Sequence, residues 1–329
     1  MTASYQAGTG SGYAHAEPRM GFFTDTSVCI GCKACEVACK EWNLVPADDA
    51  GAEGNMDLLG TSYDNTGDLG ANSWRHVAFI EQRVPARSMH EDVDVLAAAS
   101  VGTAEPGSGA PSSSTAENLH SDDLGMPTIG APKQEATDGD SGIRWLMSSD
   151  VCKHCTHAAC LDVCPTGSLF RTEFGTVVVQ EDICNGCGYC VPACPYGVIE
   201  KRESDGRAFK CTLCYDRLGA GMEPACAKAC PTDSIQFGEL DELRERAAQR
   251  QRTLHEAGVT EARLYGHDPD DGVGGDGAFF LLLDEPEVYG LPPDPVVTTR
   301  DLPAMWKGAA ATALGVAAAV AASFLGGRR

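Results

Sequence analysis

The sequence predicts an α+β chain in which two cysteine-rich units are interleaved, one inside the other, ahead of a single C-terminal apolar helix. Three observations predict it. All sixteen cysteines of the 329-residue chain fall into four runs of four. The two central runs follow one another closely as an internal repeat, and the outer two flank them at a distance. Twenty consecutive residues without a charge, Gly308 to Gly327, lie near the C-terminus.

The first run is Cys29-x2-Cys32-x2-Cys35-x3-Cys39, and the second is Cys152-x2-Cys155-x4-Cys160-x3-Cys164. The third is Cys184-x2-Cys187-x2-Cys190-x3-Cys194, and the fourth is Cys211-x2-Cys214-x11-Cys226-x3-Cys230. Prolines 165, 195 and 231 follow the last cysteine of three runs. In bacterial ferredoxins the pattern C-x2-C-x2-C-x3-C-P puts three close thiolates on one [4Fe–4S] cube, and the fourth serves the other cluster of a pair. Sixteen ligands therefore predict four [4Fe–4S] clusters with no cysteine left over, in two interleaved ferredoxin-like two-cluster units. Crossed ligation is expected. Cys29, Cys32 and Cys35 join Cys230, and Cys211, Cys214 and Cys226 join Cys39. Likewise Cys152, Cys155 and Cys160 join Cys194, and Cys184, Cys187 and Cys190 join Cys164. Three ligands so close together need a tight loop, which Gly31 and Gly186 suit because glycine tolerates positive φ.

Disulfides do not account for the pattern, since cysteines two residues apart rarely bridge and a chain of this length needs no such staples. Structural zinc also takes four thiolates, and the fourth run alone resembles a zinc ribbon. In runs one and three, however, the ligands are too crowded for zinc, which also leaves the Cys-Pro ends unexplained.

A length of 329 residues suggests two units of structure. The formal charge of −22 argues against nucleic acid, whose phosphates demand Lys and Arg; an acidic surface serves solubility. Metal-site binding energy is folding energy, so the apoprotein is expected to be largely unfolded.

Taken in order, residues 1–85 form the first part of the outer unit, with no secretory or twin-arginine signal expected before Phe23. Ser73 to Gln82 reads as a strand. Residues 86–142 are dominated by Ala, Gly, Ser, Pro, Asp and Glu, cannot bury enough apolar area to offset ordering, and read as an insertion or linker. Residues 143–200 hold the inner unit, with a strand at Thr176–Gln180, and 201–238 complete the outer one. The Cys-x3-Cys-Pro ends suit the first turns of short helices. Residues 239–303 are an extension with a charged helix, Asp241 to His255, stopping at Gly258, and a buried strand, Ala278 to Asp284. Residues 304–329 form the anchor. About 20 apolar residues span a bilayer. Trp306 and Lys307 stand at one end and Arg328 and Arg329 at the other, as interfacial anchors do.

The stretches CIGCKACEVACKEWN (Cys29–Asn43), KCTLCYDRLGAGMEPACAKACPTDSIQFG (Lys210–Gly238), GVGG (Gly272–Gly275), VYGLPPDP (Val288–Pro295) and the helix beginning MWKG give the chain a family likeness. It resembles the iron–sulfur β subunit of membrane-bound formate dehydrogenase from about Gly21 onward, apart from the insertion, where that family has a short connection. The cysteine runs alone are shared with subunits of nitrate, dimethyl sulfoxide and polysulfide reductases and some hydrogenases. The resemblance implies an electron-transfer subunit that carries four clusters between two partners. One is a catalytic α subunit with a molybdenum or tungsten pterin, oxidising formate. The other is a membrane γ subunit, a b-type cytochrome or related quinone-reactive protein. Alternatives are the equivalent subunit of a hydrogenase or another molybdopterin reductase, and a free-standing polyferredoxin, against which the anchor counts.

His154 and His157 lie inside the second run, but every metal position already has its thiolate, so they are expected to support ligands rather than act as them. Lys40, Lys153 and Lys210 adjoin ligands; they either offset cluster charge or are ordinary surface lysines. GVGGDG at Gly272 follows no strand and opens no helix, a weak match to a nucleotide fingerprint. No catalytic site is evident. Basic residues stay on the cytoplasmic side. Arg328 and Arg329 therefore put the C-terminus inside and the cluster-bearing bulk on the extracytoplasmic face, a chain in contact with membrane lipid.

Overall fold

The computed structural model describes residues 17–46, 67–85 and 141–326. Residues 86–140 of the expected insertion lie outside this description, as do Arg328 and Arg329. The chain divides into two units, Met1–Ile80 with Trp145–Arg329, and Glu81–Arg144. In the smaller unit the described residues are the outer ends of two strands.

The larger unit opens on β1 (Met20–Asp25), a 3-10 turn (Thr26–Val28) and helix α1 (Ala34–Trp42). Strands β2 (Arg75–Pro85) and β3 (Ser141–Val151) pair as a two-stranded sheet. Two small antiparallel hairpins follow, β4 (Leu169–Arg171) with β5 (Val177–Val179), and β6 (Glu200–Lys201) with β7 (Ala208–Phe209). One-turn helices α2 (Ala159–Asp162) and α3 (Cys190–Ala193) accompany them. Helices α4 (Tyr215–Gly219) and α5 (Ala225–Lys228) lead to β8 (Ile235–Glu239) and the long α6 (Leu240–Glu256). Strands β9 (Arg263–Tyr265) and β10 (Ala278–Leu282) and helix α7 (Leu302–Gly326) complete the chain.

The main sheet has the order β8-β1-β10-β9, with β1 parallel to β10 and the other pairs antiparallel. Its centre includes β10, which covers the first five residues of the expected strand Ala278–Asp284, all of them buried; Leu283 and Asp284 lie beyond it and are half-buried. Strands β1, β8 and β9 carry no alternating pattern that marks them in sequence; they are specified by pairing with β10 and with one another. Phe23 stacks on Phe279 with centroids 5.4 Å apart. Leu240, Leu243, Ala247 and Leu254 recur at helical spacing and bury one face of α6 against Phe23, Phe279 and Leu281. Each such leucine contributes about 1.5–3 kcal/mol of burial. Helix α6 begins one residue before the expected Asp241, carries Asp241 and Glu242 in its first turn, and ends near Gly258 at φ 93°.

The Cys-x3-Cys-Pro ends of the last three runs each form one short helical turn that includes the first of the two cysteines, Cys160, Cys190 or Cys226, and stops before the Cys-Pro. Helix α7 is exposed along its described side chains and is apolar and long enough to cross a membrane, with mean hydropathy 1.4 over Ala304–Phe324. It fits a single-pass anchor.

Candidate metal centres

None of the sixteen cysteines forms a disulfide. The loops that present them rely on left-handed backbone. Gly31 and Gly186 have φ 64° and 70°, as their runs require. A Cβ on Gly186 would lie 2.5 Å from the Gly206 carbonyl oxygen, so this loop has room only for glycine. Lys33, His154, Leu213 and Cys214 also adopt positive φ, between 46° and 60°, although no residue type or motif marks them for it. Such strain, roughly 1–2 kcal/mol per residue, persists where the surroundings fix the backbone. Here it gathers beside the thiols.

Two sets of four cysteines line internal cavities. Cys29, Cys32, Cys35 and Cys230 line one, with Val77, Ser149 and Ile235. Cys152, Cys155, Cys160 and Cys194 line another, with Lys153, His154 and Lys210. In a third set, burial pushes the Cys190 thiol up to about 11, and the neighbouring Cys184, Cys187 and Cys164 add to the rise. In a fourth, burial and then Cys211, Cys226 and Cys214 push Cys39 well above the usual thiol range. Asn43 Nδ2 lies 3.7 Å from both Cys39 Sγ and Cys214 Sγ. Among the described residues no three His, Cys, Asp or Glu side chains form a group suited to a single metal ion. Soft sulfur donors spaced around a cavity suit an iron–sulfur cube, whereas structural zinc needs its four ligands about 2.3 Å from one point.

The sets adjoin in a series. Burial and then the nearby Cys152 push Cys211 up to about 12, linking the fourth set to the second. Cys35 acts on Cys226, linking the first to the fourth, and Cys190 acts on Cys160, linking the second to the third. Cys32 and Cys187, in the two terminal sets, are exposed, while Cys211, Cys214 and Cys226 are buried. Cys164 runs against the trend: burial would raise it, but hydrogen bonds from Ser168, Leu169 and Thr166 bring it down to about 6.

Lys153 and Lys210 are buried, so the surface reading fails for both. Lys153 pairs with Asp150 and lies over the rings of Tyr196 and Phe280, 5.3 and 4.8 Å from their centroids. Lys210 donates to the carbonyls of Val177 and Cys211. Burial would lower its pKa, yet Cys152, Cys160 and Cys211 raise it overall. Lys40 is half-buried. His154 Nδ1 accepts from Val177 N–H at 3.1 Å, and burial, followed by Lys210 and Arg171, keeps the ring neutral. His157 is half-buried and donates its backbone N–H to Val273 O.

The Gly272–Gly275 motif is a clamp on the second run. Thr156 donates its N–H and Oγ1 to Gly275 O, and a Cβ on Gly274 would strike the His157 ring at 2.5 Å. Sequence reasoning gave no role to five buried charged residues: Asp25, Glu36, Arg75, Arg171 and Asp276. Asp276 accepts from Tyr196 Oη at 2.8 Å, and burial pushes its carboxyl up to about 7. Asp276 lies in a stretch the sequence singles out, GVGGDG, and nothing there marks it for burial beside Tyr196.

Two family models match, a 4Fe-4S dicluster domain over residues 143–240 and a 4Fe-4S binding domain over residues 26–42. Fold and thiol sets define a ferredoxin-like protein that binds [4Fe–4S] clusters and carries electrons, and sixteen thiols are consistent with four clusters. The nitrate-inducible formate dehydrogenase iron–sulfur subunit of Escherichia coli is 35% identical over 289 residues, covering 87% of this chain and 76% of that protein. The formate dehydrogenase iron–sulfur subunit of Haemophilus influenzae is 35% identical over 277 residues, 83% of this chain and 68% of the relative. One component of the anaerobic dimethyl sulfoxide reductase of Escherichia coli is 30% identical over 227 residues, 69% of this chain and 76% of its own length. The chain belongs to the family of formate dehydrogenase iron–sulfur subunits, non-catalytic electron-transfer subunits of oxidoreductase complexes.

Proposed function

We propose that this chain takes electrons from a molybdenum- or tungsten-pterin subunit that oxidises formate and delivers them to a membrane subunit that reduces quinone. The observation that carries the reading is the make-up of the cavities. Three thiols of the first run share one with Cys230, and three of the second share another with Cys194. This mixing supports crossed ligation in two interleaved two-cluster units, with Cys39 completing Cys211, Cys214 and Cys226, and Cys164 completing Cys184, Cys187 and Cys190. Each cluster, when bound, supplies one-electron chemistry. The protein's own part is to hold the four sites in the order first, fourth, second, third run, keep water from the middle, and leave Cys32 and Cys187 near the surface at the ends. Formate as donor is supported by the relatives at 34–35% identity.

Purified in mild detergent with its partners, the complex is expected to reduce quinone in the presence of formate and to carry about sixteen irons in this chain, four per cube. A count near twelve would refute the four-cube reading. Cys39→Ala is expected to perturb the cluster of the fourth run and spare that of the first. The flanking charges of the anchor support a cytoplasmic C-terminus and an extracytoplasmic bulk. Protease added to intact spheroplasts is then expected to digest the cluster-bearing part; full protection would reverse the topology.

A further inference from the structure

Arg75, the first residue of β2, is 2% exposed, a depth at which a charge normally requires a partner of opposite sign. Among the described residues no carboxylate pairs with it. Its Nη1 donates to Ser149 Oγ at 2.9 Å and to Ser149 O at 3.3 Å. Its guanidinium carbon stands 5.0 Å from the Phe22 ring centroid. Nε and Nη2 are buried with no hydrogen-bond partner. Two orphaned charged donors are a large cost unless something anionic meets them. Four cysteine sulfurs, those of Cys226, Cys35, Cys211 and Cys39, act on Arg75, and as cluster thiolates they would supply the opposite charge that offsets its burial. Cys35 belongs to the first-run set; the other three belong to the fourth. Ser149 ties the same junction together, its Oγ lying 3.2 Å from Cys35 Sγ.

We propose that Arg75 is a positioning and tuning residue between the clusters of the first and fourth runs, its free guanidinium donors directed to cluster sulfur and its charge raising both reduction potentials. The proposal rests on the ligand sets proposed above, which assign Cys35 to one cluster and Cys39, Cys211 and Cys226 to its neighbour. Reduction adds negative charge to a cluster, so a fixed cation beside it, with N–H groups on its sulfurs, favours the reduced form. One guanidinium between two clusters does this for both and lessens the repulsion between them when both are reduced. An arginine suits the place because it keeps its charge when buried and presents several donors in one plane.

The test is potentiometric titration followed by electron paramagnetic resonance on the intact complex carrying Arg75→Met or Arg75→Lys. Signals are assigned beforehand with Cys32→Ser and Cys214→Ser, and iron is counted in every sample. Arg75→Met is expected to disfavour reduction of the first- and fourth-run clusters at least tenfold each, about 59 mV for a one-electron couple. The second- and third-run clusters should stay in place. Arg75→Lys, which keeps the charge and loses the fork of donors, should move the same two clusters in the same direction by less. Four unmoved potentials with full iron would overturn the proposal, as would an equal shift of all four. If Arg75→Met fails to load iron, Arg75→Lys decides: a selective shift supports the role, and none refutes it. Wild-type iron well below sixteen would instead overturn the ligand assignment, a failure distinct from that of Arg75.

Discussion

The outer pair of sites, from runs one and four, and the inner pair, from runs two and three, use one device in two electrostatic forms. In each, the side chain next to a thiol-bearing residue accepts a hydrogen bond from a strand N–H. Glu36, beside Cys35, accepts from Val77 of β2; His154, beside Cys155, accepts from Val177 of β5. The inner acceptor is a neutral imidazole. The outer one is an acid, with Lys33 Nζ at 3.6 Å and His76 Nδ1 at 3.9 Å. The outer pair also holds Arg75, brought in by the same strand β2. Run four is separated from run one by the whole inner unit, so its junction is assembled from distant segments and carries buried charges of both signs. The inner junction is built on its own short hairpins and one-turn helices, with Lys210 and the Gly272–Asp276 stretch brought to it from outside.

The largest effect that can break this comparison comes from the thiols themselves. Cys226 lies in the buried middle of the series and faces both Arg75 and Cys35. Cys226→Ala leaves Arg75 without one of the charges that offset its burial. The expected result is loss of both outer clusters, with iron well under about twelve per chain, the value for losing one cube. Cys187 is exposed at the inner end. Cys187→Ala should cost only its own cluster and leave about twelve irons. Equal losses in the two variants would mean that outer and inner sites do not differ in how far a defect spreads.

The same contrast explains what could be read from sequence. The inner strand at Thr176, the strand at Ser73, helix α6 and the buried strand β10 are legible because their apolar spacing or composition is local. The ligand cysteines are legible because spacing alone specifies a cube. Strands β1 and β8 are not: MGFFTD and IQFGE are short and broken by glycine, and they become strands by pairing across more than two hundred residues, Phe22 with Phe237 and Phe23 with Gln236. Arg75 and Glu36 are silent for the same reason. In sequence they are ordinary charged residues of a strand and a helix, and only the docking of β2 near α1 gives them their surroundings.

A middle-sized effect sharpens the point on the outer side. Asp25 precedes the 3-10 turn that delivers Cys29, and its carboxylate is 3% exposed. It accepts from Ser27 N–H and Ser27 Oγ, and Arg250 of α6 donates Nε to it at 2.8 Å. Removing one member of a buried pair strands the other charge, which typically costs about 3–5 kcal/mol. Arg250 is partly exposed, at 19%, so water recovers some of that cost. Arg250→Ala is expected to lower stability by about 3 kcal/mol, read as an earlier urea midpoint for loss of cluster absorbance. The first- and fourth-run signals should disappear before the inner ones. A midpoint unchanged from wild type would show that α6 does not anchor the outer pair.

The smallest expected effect tests the shared device directly. Glu36→Ala leaves the Val77 N–H buried without an acceptor, a loss of about 1–3 kcal/mol. Glu36→Gln keeps an acceptor oxygen in place and should cost less, because only the charge facing Lys33 and His76 goes. His154→Ala orphans the Val177 N–H in the same way and opens a cavity beside the second run, but it also removes the imidazole Nε2, which is itself buried without a partner. These contributions oppose one another, so His154→Ala should fall in the same range as Glu36→Ala rather than above it. The two variants are expected to separate in place more than in size. Under rising urea, Glu36→Ala should release the outer clusters first and His154→Ala the inner ones, each followed by its own resonance signal. If both variants release all four clusters at one midpoint, the two pairs of sites unfold as a single unit. The difference between them would then concern charge alone and not stability.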